Sequence, residues 1–388
     1  MSSSIVDTYK NLPLGVKTAL KSAYSLIPLR IRLGGEFFRQ LDFLEKSQWW
    51  SAQELENYQN EQLRKLIEHA YQNVPYYNAL FKKLSLVPAD IRTKEDLHKI
   101  PVLKKDDVRK NLTQLRAKNF KENDAVRLST SGTTGQPMAF YYDREKEYLN
   151  YDPFIWRFFG WAGHHQGERR ATLSSWTLAN NQLYSYNPAR KLLILSAYNL
   201  NSRNVVEYAM AMKRFNITYL DGYPSMIELL VSFMKSEGIQ SPSTVKAIFS
   251  HSECLYDWQR SSIEEFFGCR CFNWYALEER VVLGLECNKH EGLHLITDYG
   301  ITEFLDDESG GKKIVATSLI NYAMPFIRYD TEDIGELSCA HCSCGRGFPL
   351  FHLHGGRARS FAIGKDGSHI PVGNVDIPHV ADNVLQFK

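Results

Sequence analysis

Ile217-Thr218-Tyr219-Leu220-Asp221-Gly222-Tyr223-Pro224-Ser225 opens with an apolar run and ends in a turn, and a helical pattern follows from Met226 to Ser236. The apolar residues Ile217–Leu220 predict a strand that ends at the turn. A second apolar run at Val245–Phe249 predicts the next strand. A strand, a helix and another strand in this order are typical of a parallel sheet covered by helices.

The same alternation precedes this stretch. Leu192–Leu195 is a buried-strand run, and Val205–Phe215 has a helical pattern. The sequence therefore predicts an α/β fold, with a large domain of mostly parallel sheets flanked by helices and a smaller β-rich subdomain. Because sites in such folds gather at the carboxyl ends of strands, Gly222, Ser250 and Tyr275 are expected near a binding site.

Changes of pattern divide the chain into four regions. We expect a helical segment packed on the core at 1–120 and the α/β core at 121–290. The β-rich subdomain is expected at 291–357, where short runs such as Phe326–Tyr329 predict strands. Residues 358–388 form the fourth region.

A short stretch near the amino terminus mixes apolar and basic residues. This stretch is Ile27-Pro28-Leu29-Arg30-Ile31-Arg32-Leu33. It could contact a membrane surface or another subunit, so a homodimer is among the expected states. A packed helical arm is the preferred interpretation.

Composition places the chain among ordinary globular proteins, with 44% hydrophobic and 23% charged residues in 388. A formal net charge of +2 argues against nucleic-acid binding. No apolar run approaches the roughly 18 residues of a membrane span, and the amino terminus lacks the pattern of a secretory signal. Seven cysteines, an odd number, fit a reducing compartment, so we predict a cytoplasmic protein.

A hydroxyl-rich run lies upstream of the alternating pattern, at Thr130-Ser131-Gly132-Thr133-Thr134-Gly135-Gln136-Pro137. Its glycines permit positive φ, so successive backbone N–H groups can converge on one anion, and its hydroxyls add donors for phosphate oxygens. Composition alone favours a surface turn, and the run lacks the G-x-x-x-x-G-K-[ST] spacing of a P-loop. A polyphosphate-binding loop is therefore a hypothesis that needs support from other parts of the chain.

Three further segments give that support. They are Asn273-Trp274-Tyr275-Ala276-Leu277-Glu278-Glu279, Ile327-Arg328-Tyr329-Asp330-Thr331-Glu332-Asp333-Ile334-Gly335 and Gly356-Arg357. Together with the loop they resemble, in the same order, the motifs of the adenylate-forming enzymes, the acyl- and aryl-CoA ligase superfamily. The chain is most similar to the phenylacetate–CoA ligase-like branch, which includes members from capsule and surface-polysaccharide gene clusters. Weaker matches to that branch are His69–Tyr77, Gly222–Ser225 and Ser252-Glu253.

The resemblance implies a role for each motif. The loop would wrap the phosphates of ATP, Tyr275 would stack on adenine, Glu279 would hold Mg²⁺, Asp333 would accept hydrogen bonds from the ribose hydroxyls, and Arg357 would approach ribose or phosphate. The implied nucleotide-binding residues are Thr130, Ser131, Gly132, Thr133, Thr134, Gly135, Ser252, Glu253, Tyr275, Ala276, Asp333 and Arg357. The predicted catalytic residues are Glu279, Thr134 and Arg357.

The sequence departs from the family pattern at several points. Ala276 stands where glycine is usual, and Glu332 replaces the glycine before Asp333, which adds a carboxylate near the expected nucleotide. Relatives carry a mobile lid with a lysine for adenylation after the hinge. The resemblance implies that 121–290 is the nucleotide- and substrate-binding core and that 358–388 form a hinge and the start of this lid. We expect the lid to be absent or truncated in this sequence, with Val384–Lys388 resembling its first strand.

A cluster of cysteines and histidines lies late in the chain. Cys339-Ala340-His341-Cys342-Ser343-Cys344 holds three thiols, and Cys287–His294 adds one thiol and two imidazoles. Both stretches resemble the branch, in which some members carry a structural zinc. A closed zinc site needs four Cys or His ligands. The predicted ligands are Cys287, His294, Cys342 and Cys344, with His290 or Cys339 as alternatives for the fourth position; reduced, metal-free cysteines are the competing interpretation.

The leading hypothesis is an ATP-dependent ligase that converts a small carboxylic acid into an acyl-adenylate and passes the acyl group to CoA or another acceptor, such as a group on a sugar in surface polysaccharide biosynthesis. The implied cofactors are ATP, Mg²⁺, structural Zn²⁺ and CoA. The predicted substrate-binding residues are Tyr223, Ser250 and His251. A nucleotide-binding pseudoenzyme or scaffold is the competing class, because of Glu332 and the missing lysine, and a zinc-dependent binding module is a third.

Overall fold

The computed structural model describes residues 12, 14–121, 124–130, 137–165, 167–175, 178, 182–307, 311–354, 361–364, 369–371 and 384–387. The chain forms two compact units, each made of segments distant in sequence. The first unit contains residues 1–39, 162–251 and 255–272, and the second contains residues 40–161, 252–254 and 273–388. The boundaries predicted at 120, 290 and 357 remain expectations from sequence.

The described α-helices are α1 (Leu14–Ser25), α2 (Leu29–Ser47), α3 (Ala52–Asn73), α4 (Pro75–Lys83), α5 (Lys105–Lys110), α6 (Leu112–Leu115), α7 (Glu147–Trp161), α8 (Val205–Arg214), α9 (Pro224–Ser236) and α10 (Asp257–Phe267). Short 3₁₀ helices cover Pro88–Asp90, Lys94–Lys99 and Ala197–Asn199. None of the described helices has both the length and the apolar character needed to cross a membrane.

The described strands are β1 (Ala125–Ser129), β2 (Ala139–Asp143), β3 (Arg170–Ser174), β4 (Tyr184–Asn187), β5 (Leu192–Ser196), β6 (Tyr219–Gly222), β7 (Ala247–His251), β8 (Arg270–Ala276), β9 (Leu283–Glu286), β10 (Leu293–Leu295), β11 (Gly300–Asp306), β12 (Lys312–Ser318), β13 (Tyr329–Leu337), β14 (Leu350–Leu353), β15 (Phe361–Gly364), β16 (His369–Pro371) and β17 (Val384–Phe387). The predicted α/β fold class is confirmed.

Parallel strands form the sheet of the first unit. β7, β6, β3 and β5 lie side by side in parallel, and β4 adds an antiparallel edge. Helices α8, α9 and α10 bury apolar residues in one core with these strands, including Tyr208, Leu230 and Ile263. The alternating pattern around Ile217–Ser225 thus gives the layered arrangement that the sequence predicts.

Strand β6 lies further along the chain than Ile217–Leu220, where the sequence predicts it. Asp221 and Gly222 belong to the strand, because they pair with Phe249 and Ser250 of β7. The turn consists of Tyr223 alone, and Pro224 occupies the first turn of α9. Proline suits that position, since its missing N–H would have no partner within the helix.

Antiparallel strands dominate the second unit. Its main sheet has the order β11-β12-β13-β14-β10-β9-β8, β1 and β2 form a hairpin, and β15 pairs with both β16 and β17. The strand predicted at Phe326–Tyr329 begins only at Tyr329. Arg328 has a φ of 54°, a left-handed conformation outside the extended region, and pairing with β12 begins at the next residue, Tyr329.

The stretch His69–Tyr77, which resembles the family, has a structural role. The Val74 N–H bonds to the carbonyl of Ala70 at the end of α3, and Pro75 opens α4. The buried hydroxyl of Tyr77 donates to the Pro325 carbonyl over 3.0 Å and accepts from the Ile327 N–H over 3.1 Å. These bonds position the chain just before β13.

Candidate active site

Tyr275 and Asp333 form the centre of the candidate nucleotide site. Tyr275 is the next-to-last residue of β8, and Asp333 lies in the middle of β13, within the second unit. The Tyr275 hydroxyl donates a 2.8 Å hydrogen bond to Oδ2 of Asp333. The structure therefore brings together the residues that resemble the adenine and ribose contacts of the family.

Gly284 and Phe351, on two other strands, are neighbours of Tyr275. Gly284 of β9 pairs with Tyr275, and the Phe351 ring of β14 lies 6.0 Å from the Tyr275 ring, centroid to centroid. A Cβ atom at Gly284 would lie 2.5 Å from the Phe351 ring. Only glycine at this position lets Phe351 pack so closely, and no sequence motif pointed to either residue.

The backbone at Asp333 is held by Thr331, which is completely buried. The Thr331 hydroxyl accepts from the Asp333 N–H over 3.1 Å and donates to the Ile314 carbonyl over 2.8 Å. Since Ile314 belongs to the neighbouring strand β12, the hydroxyl joins two strands beneath the carboxylate. Asp333 is thus a positioned hydrogen-bond acceptor on a rigid strand.

Glu279 lies in the turn after β8 and is only 3% exposed. Its Oε1 accepts a 2.7 Å hydrogen bond from the hydroxyl of Tyr329, the first residue of β13. That hydroxyl also lies 3.8 Å from the sulfur of Met138. A buried carboxylate with this fixed orientation is a candidate metal ligand, and Tyr329 is a site residue that the sequence motif contains but that received no predicted role.

Hydrogen bonds between Thr130 and Met138 join the two ends of the hydroxyl-rich loop. The Thr130 N–H donates to the Met138 carbonyl over 2.9 Å, and the Met138 N–H donates to the Thr130 hydroxyl over 3.0 Å. These bonds close the base of the loop between β1 and β2. The predicted residues Ser131, Gly132, Thr133, Thr134 and Gly135 lie outside the described residues, as does Arg357.

A lysine that was not predicted reaches the strand that carries Asp333. Leu103 bonds to the backbone of Arg328 and Asp330 over 2.8 and 2.9 Å, which brings the start of α5 beside β13. The Lys105 amine, 8% exposed, pairs with the Glu332 carboxylate over 2.5 Å. Glu332 has a φ of 63°, so a side chain occupies a left-handed position that suits the glycine usual in the family.

Three other predicted nucleotide-binding positions lie close to these strands in sequence. Ala276 ends β8 and pairs with Leu283 of β9. Ser252 and Glu253 directly follow β7, and both belong to the second unit. Ser252 has a φ of 65°, so the backbone turns sharply there. Their predicted contacts with a nucleotide stay predictions.

The predicted substrate residues lie at the carboxyl edge of the parallel sheet in the first unit. Gly222 ends β6 and pairs with Ser250 of β7, so the residues that follow them, Tyr223 and His251, are neighbours. Their rings meet edge to face with centroids 5.6 Å apart. Both are half-buried, whereas Ser250 is completely buried. Tyr223 and His251 are therefore the members of the predicted set that solvent reaches.

Asp221 supports this edge, although the sequence indicated only a turn there. Its carboxylate lies 2.8 Å from Nε of Arg170 and 3.8 Å from Nε2 of His251. Burial alone would raise the pKa of Asp221, but the charges of Arg170 and His251 hold it below its usual value. Asp221 is therefore an ionised neighbour of the His251 ring.

A candidate metal centre lies elsewhere in the second unit. One ligand atom from each of four residues lies within 4.8 Å of the others, and these residues are Cys287, His294, Cys342 and Cys344. The sulfurs of Cys287 and Cys342 are 3.5 Å apart, and Nε2 of His294 is 3.5 Å from the sulfur of Cys344. Four converging thiol and imidazole groups fit a closed tetrahedral zinc site.

The orientation of His294 suits a metal ligand. Its Nδ1 lies 3.3 Å from the Phe348 carbonyl, so an Nδ1–H donor there leaves the Nε2 lone pair towards the thiols. Burial lowers the pKa of His294 to about 4, which keeps the ring neutral at physiological pH. His290 instead lies 3.4 Å from the Glu286 carboxylate, and Cys339 is exposed.

Comparisons with known proteins agree with the motifs. No family model matches the chain. The chain is 25% identical over 339 residues to Protein CapK of Staphylococcus aureus, which covers 85% of this chain and 72% of the relative. It is 26% and 28% identical to the phenylacetate-coenzyme A ligases of Thermus thermophilus and Pseudomonas putida, over 74% of this chain and 67% of each relative.

Solved structures share the fold. A crystal structure of 2-hydroxyisobutyryl-CoA ligase in an open conformation, in complex with 2-HIB-AMP and CoA, gives a TM-score of 0.65 at 18% identity, covering 79% of this chain and 75% of that chain. The same ligase in the postadenylation state with R3-HIB-AMP gives 0.67 at 17% identity, covering 85% and 73%. The chain is thus similar in sequence to the phenylacetate–CoA ligase-like branch of the adenylate-forming enzymes, and it shares the fold of an AMP-forming acyl-CoA ligase.

Proposed function

We propose that this protein activates a small carboxylic acid with ATP and transfers the acyl group to CoA. A carboxylate oxygen attacks the α-phosphorus of ATP, and the bond between the α-phosphorus and the bridging oxygen to the β-phosphate breaks. The products are an acyl-adenylate and pyrophosphate. The sulfur of CoA then attacks the acyl carbon, the thiol proton is lost, and AMP leaves. The relatives named phenylacetate-coenzyme A ligase support this class of reaction.

The observation that carries the proposal is the hydrogen bond between Tyr275 and Asp333. An aromatic face and a carboxylate at fixed separation suit an adenine base and the hydroxyls of its ribose. Neither side chain is buried, so both remain accessible to a ligand. In this proposal they bind the nucleoside, and the loop closed by Thr130 and Met138 binds its phosphates.

In this proposal Glu279 is the ligand that binds Mg²⁺. Magnesium in proteins favours one or two carboxylates together with phosphate oxygens, and Glu279 is a carboxylate connected through Tyr329 to the base of the loop. Mg²⁺ bound there would neutralise charge on the phosphate oxygens. The Tyr329 hydroxyl holds the carboxylate in place, and no side-chain nucleophile is required.

We assign recognition of the acid to Tyr223 and His251. Their perpendicular rings offer an apolar face and one imidazole, which suits an aryl or modest acyl carboxylate. The Asp221 carboxylate lies 3.8 Å from Nε2 of His251, so this contact orients the imidazole at the edge of the sheet. The size of the acyl group is left to the assay below.

Zinc in the proposal has a structural role. The four ligand atoms come from the loop after β9, from β10 and from the loop between β13 and β14, so a bound ion would join three segments. All four positions are occupied by protein ligands, which leaves no open position for a substrate. The metal would therefore stabilise the fold and take no part in acyl transfer.

Pyrophosphate exchange tests the proposed function. The full chain is assayed for acid-dependent exchange of labelled pyrophosphate into ATP with a panel of aryl and short acyl acids, and then for thioester formation with CoA. Glu279→Gln should lower exchange roughly a hundredfold, because the metal's carboxylate is lost. Glu278→Gln is the matched control, because Glu278 is the residue next to Glu279 and its side chain is exposed.

Two outcomes would overturn parts of the proposal. ATP binding without exchange for every acid would identify a pseudoenzyme or scaffold. Exchange followed by transfer to a sugar amine or hydroxyl, and not to CoA, would replace the thioester step with the polysaccharide-linked role predicted from the resemblance.

A further inference from the structure

Helix α1 presents its apolar side to solvent. Val16, Leu20 and Tyr24, spaced four residues apart on one side of the helix, are 44%, 48% and 48% exposed. The side chains of Lys17 and Lys21, next to this stripe, are more shielded. No side chain of α1 that the structure describes is buried, Leu14 and Thr18 being outside that description. A helix that packs on its own protein shows the opposite orientation.

The apolar surface continues into the first turns of α2. Leu26, Ile27 and Ile31 are 84%, 39% and 70% exposed. We call Leu14–Leu33 the amino-terminal arm. Over its 16 residues from Val16 to Ile31 it carries six of the 15 exposed large apolar side chains among the described residues. Such a concentration on one segment indicates an interaction surface.

Contacts of Arg32 hold the arm in a defined conformation. The Arg32 guanidinium lies over the Tyr24 ring at 5.5 Å, and its Nε donates to the Ile27 carbonyl over 2.9 Å, which ties α2 to the end of α1. A further Arg32 nitrogen donates to the Ala189 carbonyl in the same unit. At Gly34, with a φ of 82°, the helix is kinked, and the buried residues Phe37 and Phe38 follow.

The charges of the arm are all of one sign. It contains Lys17, Lys21, Arg30 and Arg32, and no acidic residue occurs from Leu14 to Gly35. The whole chain is nearly balanced, with 46 basic and 44 acidic residues. A second copy of the same surface would therefore place like charges against each other in a two-fold dimer.

We propose that the amino-terminal arm lies flat on an anionic membrane surface. Exposed apolar side chains flanked by lysine and arginine are the combination that binds at the boundary between headgroups and acyl chains. The apolar stripe would enter that boundary, and Lys17, Lys21 and Arg30 at its edges would contact lipid phosphates. The arm would thereby hold the first unit at the membrane without crossing it.

Vesicle flotation with the full chain tests this surface. The probes are vesicles of phosphatidylcholine with phosphatidylglycerol and vesicles of phosphatidylcholine alone. The expected result is binding to the anionic vesicles that falls as salt rises. The variant Leu20→Glu/Ile31→Glu should lower the partition coefficient roughly tenfold or more, and Lys21→Gln/Arg30→Gln should weaken the binding and its salt dependence.

The matched control is Val206→Glu/Met210→Glu on α8, which removes two exposed apolar side chains from another surface of the same unit. It should bind as the parent protein does. Because none of these residues is buried, melting temperatures should stay close to the parent value, and this is measured for each variant. Equal binding by the arm variant and the control, or no binding of the parent to either vesicle, would overturn the proposal. So would a dimer in sedimentation velocity that Leu20→Glu/Ile31→Glu makes monomeric.

Discussion

The phenol of Tyr275 donates a 2.8 Å hydrogen bond to Asp333, a residue 58 positions further along the chain. Three strands, β9, β10 and β14, separate β8 from β13 in the sheet. Since neighbouring strands lie about 4.8 Å apart, a flat sheet would place β8 and β13 roughly 19 Å apart. The sheet must therefore curl to bring the two side chains together, and we expect them to act as a pair.

Tyr275→Phe should weaken nucleotide binding while keeping the aromatic face. The change leaves Asp333 without its donor, and hydrogen bonds to a partly exposed carboxylate contribute about 1–2 kcal/mol. We expect KM for ATP to rise roughly five- to thirtyfold in pyrophosphate exchange, with a smaller change in kcat. Tyr184→Phe, which also removes one hydroxyl from a half-buried ring, is the control. An unchanged KM in Tyr275→Phe would contradict the pairing.

Lys105 should neutralise the extra carboxylate at Glu332. Lys105→Met leaves that carboxylate beside the proposed ribose and phosphates, so KM for ATP should rise about two- to fivefold, the range expected for a half-exposed pair. Lys105→Met/Glu332→Gly should return KM to near the parent value, because the repelling charge is gone and glycine suits the left-handed backbone. Lys99→Met, which breaks the surface pair with Asp96, is the control. Equal KM values for Lys105→Met and the double variant would show that Glu332 has no such effect.

Cys342→Ser should release a bound metal. We expect about one zinc per chain in the parent protein by atomic emission, much less in the variant, and a lower melting temperature, because one of four ligands is lost. Cys339→Ser is the matched control, since that thiol is exposed and lies outside the cluster. A parent protein purified without chelators that contains no zinc would favour reduced cysteines.

Asp298→Ala should destabilise the second unit strongly. Asp298 is completely buried in a bidentate pair with Arg157, at 2.7 and 3.1 Å, and accepts from the Ser47 hydroxyl over 2.5 Å. Loss of the carboxylate leaves a buried guanidinium without its charge partner, and the free energy of unfolding should fall by about 3–5 kcal/mol. Asp106→Ala, which breaks an exposed pair with Arg109, should lower it by less than about 1 kcal/mol. Urea denaturation measures the free energy of unfolding of both variants. Similar losses in the two variants would refute a special stabilising role of the buried Asp298–Arg157 pair.

His164 should make the first unit less stable in mild acid. Burial, aided by the charge of Arg170, lowers the pKa of His164 to about 4, and its ring packs edge to face on Tyr219. Between about pH 4 and 6.5 the unfolded chain therefore binds more protons than the folded chain. The contribution of neutral His164 to the free energy of unfolding is complete above about pH 6.5 and is lost as the pH falls to about 4. His164→Phe keeps a ring against Tyr219 and should reduce the slope of unfolding free energy against pH in that range. An unchanged slope in His164→Phe would contradict this role of His164.

The candidate site could be predicted from sequence only in part. Tyr275, Glu279 and Asp333 belong to short motifs whose spacing within each segment is local, so they were recognisable. Lys105, Phe351 and Gly284 could not be, because their importance depends on which strands become neighbours. The ligand set Cys287, His294, Cys342 and Cys344 was among the predicted alternatives, and the structure brings those four together while His290 and Cys339 lie elsewhere.

Local sequence patterns were sufficient to predict the α/β class, the parallel layer around Gly222, and the segments that resemble an adenylate-forming enzyme. These features follow from residue patterns that repeat every two to four positions, and such patterns can be recognised within a short segment of the chain. The long-range contacts are seen only in the folded chain, where Tyr275 reaches Asp333 and Lys105 meets Glu332. The outward orientation of the apolar side of the arm is likewise a property of the fold. Each of these depends on strand order, sheet curvature or packing across long separations, which no local pattern encodes.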